Sequence, residues 1–181
     1  DSLPTPSASV AVVIDTNIFI RDLSLISSFA LLLHEDAMSD IVLYIPAGRF
    51  PYSYILLVVV HELDGLKARE NSQVKYAAIQ ANHWLLDQLY SQSRVLYGQR
   101  VCDRLAAKTS PHANFTSPDD EIIEACIFAK TRISTTQTVF LLTRDKNLSI
   151  KGFVNEILVL GADDFGSASL GAESLLKRIS S

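Results

Sequence analysis

The chain of 181 residues is poor in the residue types that build several common kinds of site. Its two cysteines, Cys102 and Cys126, form no CxxC pair, which excludes a disulfide framework or a cysteine-rich zinc site and favours a reducing compartment. Its longest aliphatic run, residues 55–60 (ILLVVV), is far shorter than the roughly 20 apolar residues that span a bilayer, so no membrane partner is predicted. The histidines show no metal-ligand spacing and are assigned no catalytic role; they are His34, His61, His83 and His112.

Basic residues do not outnumber acidic ones. With 16 Lys and Arg against 20 Asp and Glu the formal net charge is −4, which argues against a broad basic face for nucleic acid. It does not exclude an enzyme whose metal ions bridge an acidic pocket to phosphates. The length and the 48% apolar content are those of one globular domain.

The first nine residues, DSLPTPSAS, have neither a basic region nor an apolar run that would mark a signal peptide. Their Pro and Ser content predicts a flexible linker at residues 1–9, followed by a domain at residues 10–181. Because the chain begins with Asp, we expect a fragment of a longer protein.

Two hydrophobic patterns alternate along the chain. Short, β-branched apolar runs predict buried strands at residues 10–14, 41–45, 55–60, 139–142 and 157–160. Apolar residues at helical spacing predict helices around residues 25–33, 72–90, 118–130 and 175–179, with a surface loop at residues 97–116. The alternation predicts an α/β fold: a three-layer α/β/α sandwich around a mostly parallel sheet.

Four carboxylates either follow a predicted strand or begin a predicted helix. Asp15 directly follows the first strand, Glu62 lies two residues after the 55–60 run, and Asp145 three residues after the 139–142 run. Asp119 lies in the first turn of a helix, and helix N-termini crowd the same sheet edge. Ligands of open parallel sheets bind at that edge. Since clustered carboxylates repel unless cations lie among them, and oxygen ligands suit hard cations, the pattern predicts bound Mg²⁺ or Mn²⁺.

Each acid also has a simpler structural interpretation. Asp119 and Asp120 follow Ser-Pro and could only cap a helix. Asp15 could lie in a turn after a strand, Glu62 could cap the following turn, and Asp145 could pair with its basic neighbours. Convergence of all four acids on one edge favours the metal site.

The segments around these acids resemble the PIN-domain nucleases. In order they are VIDTN at residues 13–17, HELDGLK at 61–67, DDEII at 119–123 and LLTRDKNL at 141–148. The resemblance covers residues 10–165. The chain is similar to the eukaryotic PINc branch, whose members act in nonsense-mediated decay, in the exosome and in transcription-associated nuclear mRNA quality control.

The resemblance implies a metal-dependent endoribonuclease that cleaves single-stranded RNA by two-metal hydrolysis, leaving a 5′-phosphate and a 3′-hydroxyl. It implies action in the nucleus, with the cytoplasm as an alternative location. It also implies protein partners that bind through regions outside this chain. The implied metal ligands and catalytic residues are Asp15, Glu62, Asp119 and Asp145, and the implied auxiliary residues are Asn17, Asp120 and Thr143.

Two departures from the family pattern are visible. Residues 41–54 form a longer link than usual into the strand before Glu62. Ser-Pro precedes Asp119 where Asn is common in relatives, which leaves the choice between Asp119 and Asp120 open.

Basic residues near the motifs are candidate contacts to the RNA backbone, although each could equally be a solvated charge. They are Lys67, Arg69, Lys75, Arg144 and Lys146. Tyr52 and Tyr54 could stack on bases.

Three other functions compete with RNA cleavage. A phosphatase with an Asp nucleophile usually carries a second acid two residues later, where this chain has Asn17. DNA-specific nucleases with a related core carry additional acids and DNA-binding elements that are not evident here. A catalytically weak docking module in an mRNA surveillance complex stays the main alternative, although all four acids are retained.

Overall fold

Parallel strand pairing organises the molecule. A computed structural model describes residues 8–35, 40–46, 65–66, 72–91, 93–99, 117–161 and 168–180. The strands of this part are β1 (Ala8–Ile14), β2 (Ile41–Ile45), β3 (Leu96–Gly98), β4 (Ser134–Thr143) and β5 (Leu158–Gly161). They form one sheet in the order β3-β2-β1-β4-β5, and every pairing is parallel. The strand predicted at residues 55–60 lies outside the described residues.

Helices cover both faces of the sheet. They are α1 (Thr16–Arg21), α2 (Leu23–Glu35), α3 (Ser72–Tyr90), α4 (Pro118–Phe128, continued by a π-helical turn at Ala129–Ile133), α5 (Lys146–Val154) and α6 (Ala168–Ser180). Among the described residues no helix is long and apolar enough to cross a membrane.

Side chains of β1 alternate between two buried cores, as the pleat of a strand requires. Val12 and Ile14 pack in the core beneath α1, α2, α3 and α6. Ala11 and Val13 pack in the core beneath α4 and α5. The strand is therefore apolar on both faces, and the predicted three-layer α/β/α sandwich is confirmed.

Both central strands begin earlier than the apolar runs predict. Ala8 is buried and pairs with Ser134, so β1 takes in the last two residues of the predicted linker. Ser134 Oγ donates to the Ser9 carbonyl at 2.6 Å, and the Ser9 amide donates to Asp40 O at 2.9 Å. Polar residues extend these strands because partners distant in sequence satisfy their hydrogen bonds.

Three short elements were not predicted. The six-residue α1, the nine-residue α5 and the three-residue β3 are too short to show a period. Residues 97 and 98, predicted as loop, lie in β3. The helices predicted at residues 72–90 and from residue 118 are confirmed.

Gly152 marks the closest approach of α5 to the sheet. A Cβ atom at this position would lie 2.8 Å from Val159 Cγ2 and 3.3 Å from Leu141 Cδ2. We expect Gly152→Ala to lower the free energy of unfolding by about 1–3 kcal/mol, because overpacking against a β-branched side chain outweighs the helix propensity gained. Urea denaturation measures the change. Val154→Ala, exposed on the same helix, is the control and should be nearly neutral; equal stability of Gly152→Ala and the unchanged chain would contradict the prediction.

Candidate active site at the carboxyl edge of the sheet

A cavity of about 610 Å³ lies beyond the carboxyl ends of β1 and β4. Its walls come from the residues after β1, the pair 65–66, and the first turns of α4 and α5. Asp15, Asp119 and Asp145 line it together with Asn17, although they come from segments as far apart as positions 15 and 145. Parallel topology therefore brings three of the four predicted carboxylates to one place.

Asp15 is the most firmly held of the three. Its residue is 4% exposed, and its amide donates to Leu142 O at 3.1 Å, which continues the pairing of β1 with β4. Thr143 Oγ1 donates to Asp15 Oδ2 at 2.7 Å, and Asn17 Nδ2 donates to the same oxygen at 3.4 Å. Hydrogen bonds of this kind offset the cost of burying a carboxylate. Both residues predicted to orient the ligands thus contact Asp15.

Thr143 joins two of the acids through one hydroxyl. Its side chain is buried, and Oγ1 also accepts a hydrogen bond from the Asp145 amide at 2.9 Å. A hydroxyl has one hydrogen to donate and lone pairs to accept, so it can serve both neighbours at once. The position of the Asp145 backbone is thereby tied to the Asp15 carboxylate.

Asp145 is the N-cap of α5. Its Oδ1 accepts hydrogen bonds from the amides of Asn147 at 2.7 Å and Leu148 at 3.1 Å. Both capping bonds end on Oδ1, so they occupy one of the two carboxylate oxygens. Capping and a role in the cavity are therefore compatible.

Asp119 and Asp120 have different roles at the start of α4. The Ser117 amide donates to Asp120 Oδ2 at 3.2 Å and the Asp120 amide to Ser117 Oγ at 3.3 Å, which makes a capping box. Lys151 Nζ lies 2.7 Å from Asp120 Oδ1 and 3.3 Å from Asp119 Oδ2. Only Asp119 of the two lines the cavity. Asp120, which was predicted as an auxiliary acid, completes the N-terminal cap of α4 and pairs with Lys151.

The predicted RNA contacts have different surroundings. Lys75 on α3 and Lys146 at the start of α5 are exposed. Arg144 is partly buried, and its Nε and Nη2 bind Asp22 Oδ2 at 2.6 Å and Oδ1 at 2.7 Å. Its partner is therefore Asp22 and not the neighbouring Asp145. The remaining predicted residues, Glu62, Lys67, Arg69, Tyr52 and Tyr54, lie outside the described residues.

The donors of the cavity suit a hard cation. Mg²⁺ binds through one or two carboxylates and keeps several waters, and Mn²⁺ also prefers oxygen ligands. Within the described residues, however, no group of three or more Asp, Glu, His or Cys side chains is arranged to hold a metal ion. Asp15, Asp119 and Asp145 thus share one cavity without converging on one point. Glu62, the fourth predicted ligand, is not in this part of the chain.

Sequence reasoning missed several residues that shape the site. Ile122 and Leu148 give the cavity an apolar wall, and Lys151 and Asp22 make its ion pairs. Helical spacing already placed Ile122 on an apolar face. Lys151 and Leu148 had no such signal, because α5 itself was not predicted.

The hydroxyl of Thr143 can be removed with little change of shape. Thr143→Val should lower the free energy of unfolding by about 1–3 kcal/mol, since the Asp15 carboxylate and the Asp145 amide each lose a hydrogen bond. Mn²⁺ affinity should fall about tenfold or more, as for other residues that orient metal ligands. Denaturation and calorimetric titration measure the two effects. Thr143→Ser, which keeps the hydroxyl, should restore metal affinity; equal losses in both variants would contradict the role of this hydrogen bond.

The ion pair between Lys151 and Asp120 makes the stability of the start of α4 depend on pH. Its hydrogen bond holds the pKa of Asp120 below the ordinary value of 3.8. Asp120 therefore contributes stability that is complete above pH 3.8 and is lost as the pH falls through the lowered pKa. Lys151→Gln should raise the Asp120 pKa in a carboxyl NMR titration in EDTA. Because the pair is well exposed, the variant should lose less than about 1 kcal/mol at pH 6, and this difference should shrink below pH 3.8. An unchanged Asp120 pKa would contradict the assignment.

Comparisons with known proteins agree with this fold. The family model described as the PIN domain matches residues 12–163. The chain is 34% identical over 130 residues to the transcriptional protein swt1 of Schizosaccharomyces pombe, which is 70% of this chain and 26% of that protein. It is 26% identical over 167 residues to the human transcriptional protein SWT1, which is 92% of this chain and 17% of that protein. The chain thus spans about a quarter or less of these relatives.

The family match includes the end of β1, the whole of β4 and every predicted carboxylate, and it extends over most of the chain. Since the sheet order, the cavity at its carboxyl edge and the family model all agree, the chain belongs to the PIN domain family.

Proposed function

We propose that this PIN domain is a metal-dependent endoribonuclease that cuts single-stranded RNA. The observation that carries the proposal is the cavity at the carboxyl edge of the sheet that Asp15, Asp119 and Asp145 line together. Asp15 is buried, and Asp119 and Asp145 are partly buried. Carboxylate oxygens in such a cavity are suited to holding divalent cations, and cations are what an RNA phosphate requires in an acidic pocket. The net charge of −4 leaves phosphate binding dependent on such ions.

The four acids have distinct tasks in this mechanism. Asp15, Glu62, Asp119 and Asp145 would hold one or two Mg²⁺ or Mn²⁺ ions, with Asp15 as the central ligand at the end of the middle strand. Bound ions of this kind activate water and stabilise the leaving oxygen of an in-line displacement. Thr143 and Asn17 keep Asp15 oriented through their hydrogen bonds to Oδ2. Cleavage leaves a 5′-phosphate and a 3′-hydroxyl.

A single RNA strand is the substrate that suits this site. The cavity is recessed, and Leu66, Ile122 and Leu148 give it an apolar side on which a base or sugar can rest. Unpaired bases can be splayed into such a pocket, whereas a duplex keeps its bases stacked. Lys146 lies at the start of α5, beside Asp145, and is placed to contact the RNA backbone.

The names of the relatives support a cellular role. Both are named transcriptional proteins, and this supports action on nuclear RNA, in mRNA quality control. The chain corresponds to 26% and 17% of their lengths, so partner binding is assigned to other parts of such proteins.

A docking module without catalysis is the second candidate. It is favoured by the observation that, within the described ranges, no three ligating side chains are arranged around one ion. A module of this kind would keep the fold and the cavity and would bind RNA or protein without cutting.

The deciding experiment is cleavage of an end-labelled single-stranded RNA and of the matching DNA, with Mn²⁺, Mg²⁺ or EDTA. We expect internal cuts in RNA that require the metal. Asp15→Asn should reduce the rate by on the order of 1000-fold, because a lost ligand removes several kcal/mol of transition-state stabilisation.

The matched control is Asp87→Asn, an exposed aspartate on α3 far from the cavity in sequence, which should cut RNA normally. Full activity of folded Asp15→Asn would eliminate the proposed site. A folded chain that binds Mn²⁺ and cuts neither nucleic acid would instead identify the docking module.

A further inference from the structure

The ion pair between Arg144 and Asp22 is bidentate. Two parallel hydrogen bonds join the guanidinium to the carboxylate, Nε to Oδ2 at 2.6 Å and Nη2 to Oδ1 at 2.7 Å. The side chains are only 23% and 14% exposed. A bidentate pair fixes both the distance and the angle between its partners, which a single exposed contact does not. Asp22 also raises the pKa of Arg144, through this hydrogen bond first.

The two partners lie beside the candidate active site in sequence. Arg144 stands between Thr143, which holds Asp15, and Asp145, which lines the cavity. Asp22 follows α1, the helix that begins directly after Asp15. Asp22 also keeps the chain in place there, because its amide donates to Ile18 O at 2.7 Å.

Helix α1 is consequently attached to the β4–α5 segment at both ends. At its start the Thr143 hydroxyl binds Asp15, and at its end Arg144 binds Asp22. Six helical residues span about 9 Å, so the two attachments are well separated and together prevent the helix from pivoting. The relative position of Asp15 and Asp145 depends on both.

We propose that Arg144 is a positioning residue of the candidate active site, which acts through Asp22 to set the separation of the Asp15 and Asp145 carboxylates. The proposal rests on the proposed metal-dependent function and refines it. It replaces the expectation that Arg144 contacts the RNA backbone, because both oxygens of Asp22 already engage its guanidinium.

The two roles of Arg144 predict different kinetics. A lost phosphate contact raises KM and lowers the salt dependence of RNA binding, while metal affinity is unchanged. A lost attachment of α1 weakens Mn²⁺ binding and lowers kcat, while KM for RNA is nearly constant. Lys146→Gln serves as the comparison for a phosphate contact and should change KM alone.

A double-mutant cycle tests the attachment. Arg144→Gln and Asp22→Asn should each raise the Mn²⁺ dissociation constant and lower kcat about tenfold, the lower end of the effects seen for residues that orient metal ligands. The double variant should be no worse than either single variant, because both remove the same interaction. Arg144→Lys keeps the charge but lacks the planar fork, so it should not restore Mn²⁺ affinity.

Calorimetric titration with Mn²⁺ and steady-state cleavage of single-stranded RNA supply the measurements, on variants shown to be folded by circular dichroism. If Arg144→Gln fails to fold, Arg144→Lys takes its place in the cycle. Arg132→Gln is the control, since this exposed arginine lies before β4, at the opposite end of the strand from the cavity.

The proposal is overturned if the effects of the single variants add, or if Arg144→Gln raises KM with unchanged Mn²⁺ affinity. An unchanged chain that binds Mn²⁺ and cuts RNA, with Arg144→Gln behaving identically, would refute this proposal alone. An unchanged chain that neither binds Mn²⁺ nor cuts RNA would refute the proposed function and this inference with it.

Discussion

The parallel pairing of β1 with β4 determines how Asp15 and Asp145 lie relative to each other. It aligns Ile14 with Leu142, so that Asp15 and Thr143 become neighbours and one hydroxyl can bind both the Asp15 carboxylate and the Asp145 amide. The cavity, the start of α1 and the start of α5 all follow from that register. A shift of one residue would turn Thr143 to the other face and deprive the buried Asp15 carboxylate of the hydrogen bond from Thr143.

Several acids of the site combine a structural and a chemical task. Asp145 caps α5 through one oxygen and lines the cavity, and Asp120 completes a capping box while it binds Lys151. Capping, the simpler interpretation of Asp120, is therefore confirmed, whereas Asp145 caps α5 and does not pair with its neighbour Arg144. The capping bonds have different consequences for the two residues. For Asp145 they do not compete with a metal site, because a carboxylate has two oxygens and several lone pairs. For Asp120 the capping bonds and Lys151 engage both oxygens, and Asp119 faces the cavity in its place.

Charge pairing divides the basic residues around the cavity into two groups. Arg144 precedes α5 and binds Asp22. Lys151 lies in α5 and binds the acids at the start of α4. Both residues thus hold elements together. Lys146 lies between them in the sequence and is exposed. Sequence alone treated Arg144 and Lys146 alike, since both are adjacent to Asp145. The difference arises because Asp22, distant by 122 positions, reaches only one of them.

The sequence by itself determined the class of fold and the order of its main elements, because both depend on local patterns: buried strands, helical periods and the residues that follow them. It also predicted the edge of the sheet at which Asp15, Asp119 and Asp145 line one cavity. It did not determine α1, α5 or β3, which are too short to show a period. It could not choose between Asp119 and Asp120, or show that Thr143 and Arg144 tie α1 to β4. Those facts were decided by the tertiary structure, because hydrogen bonds and ion pairs between residues more than a hundred positions apart form only when strand register brings their atoms within 3 Å.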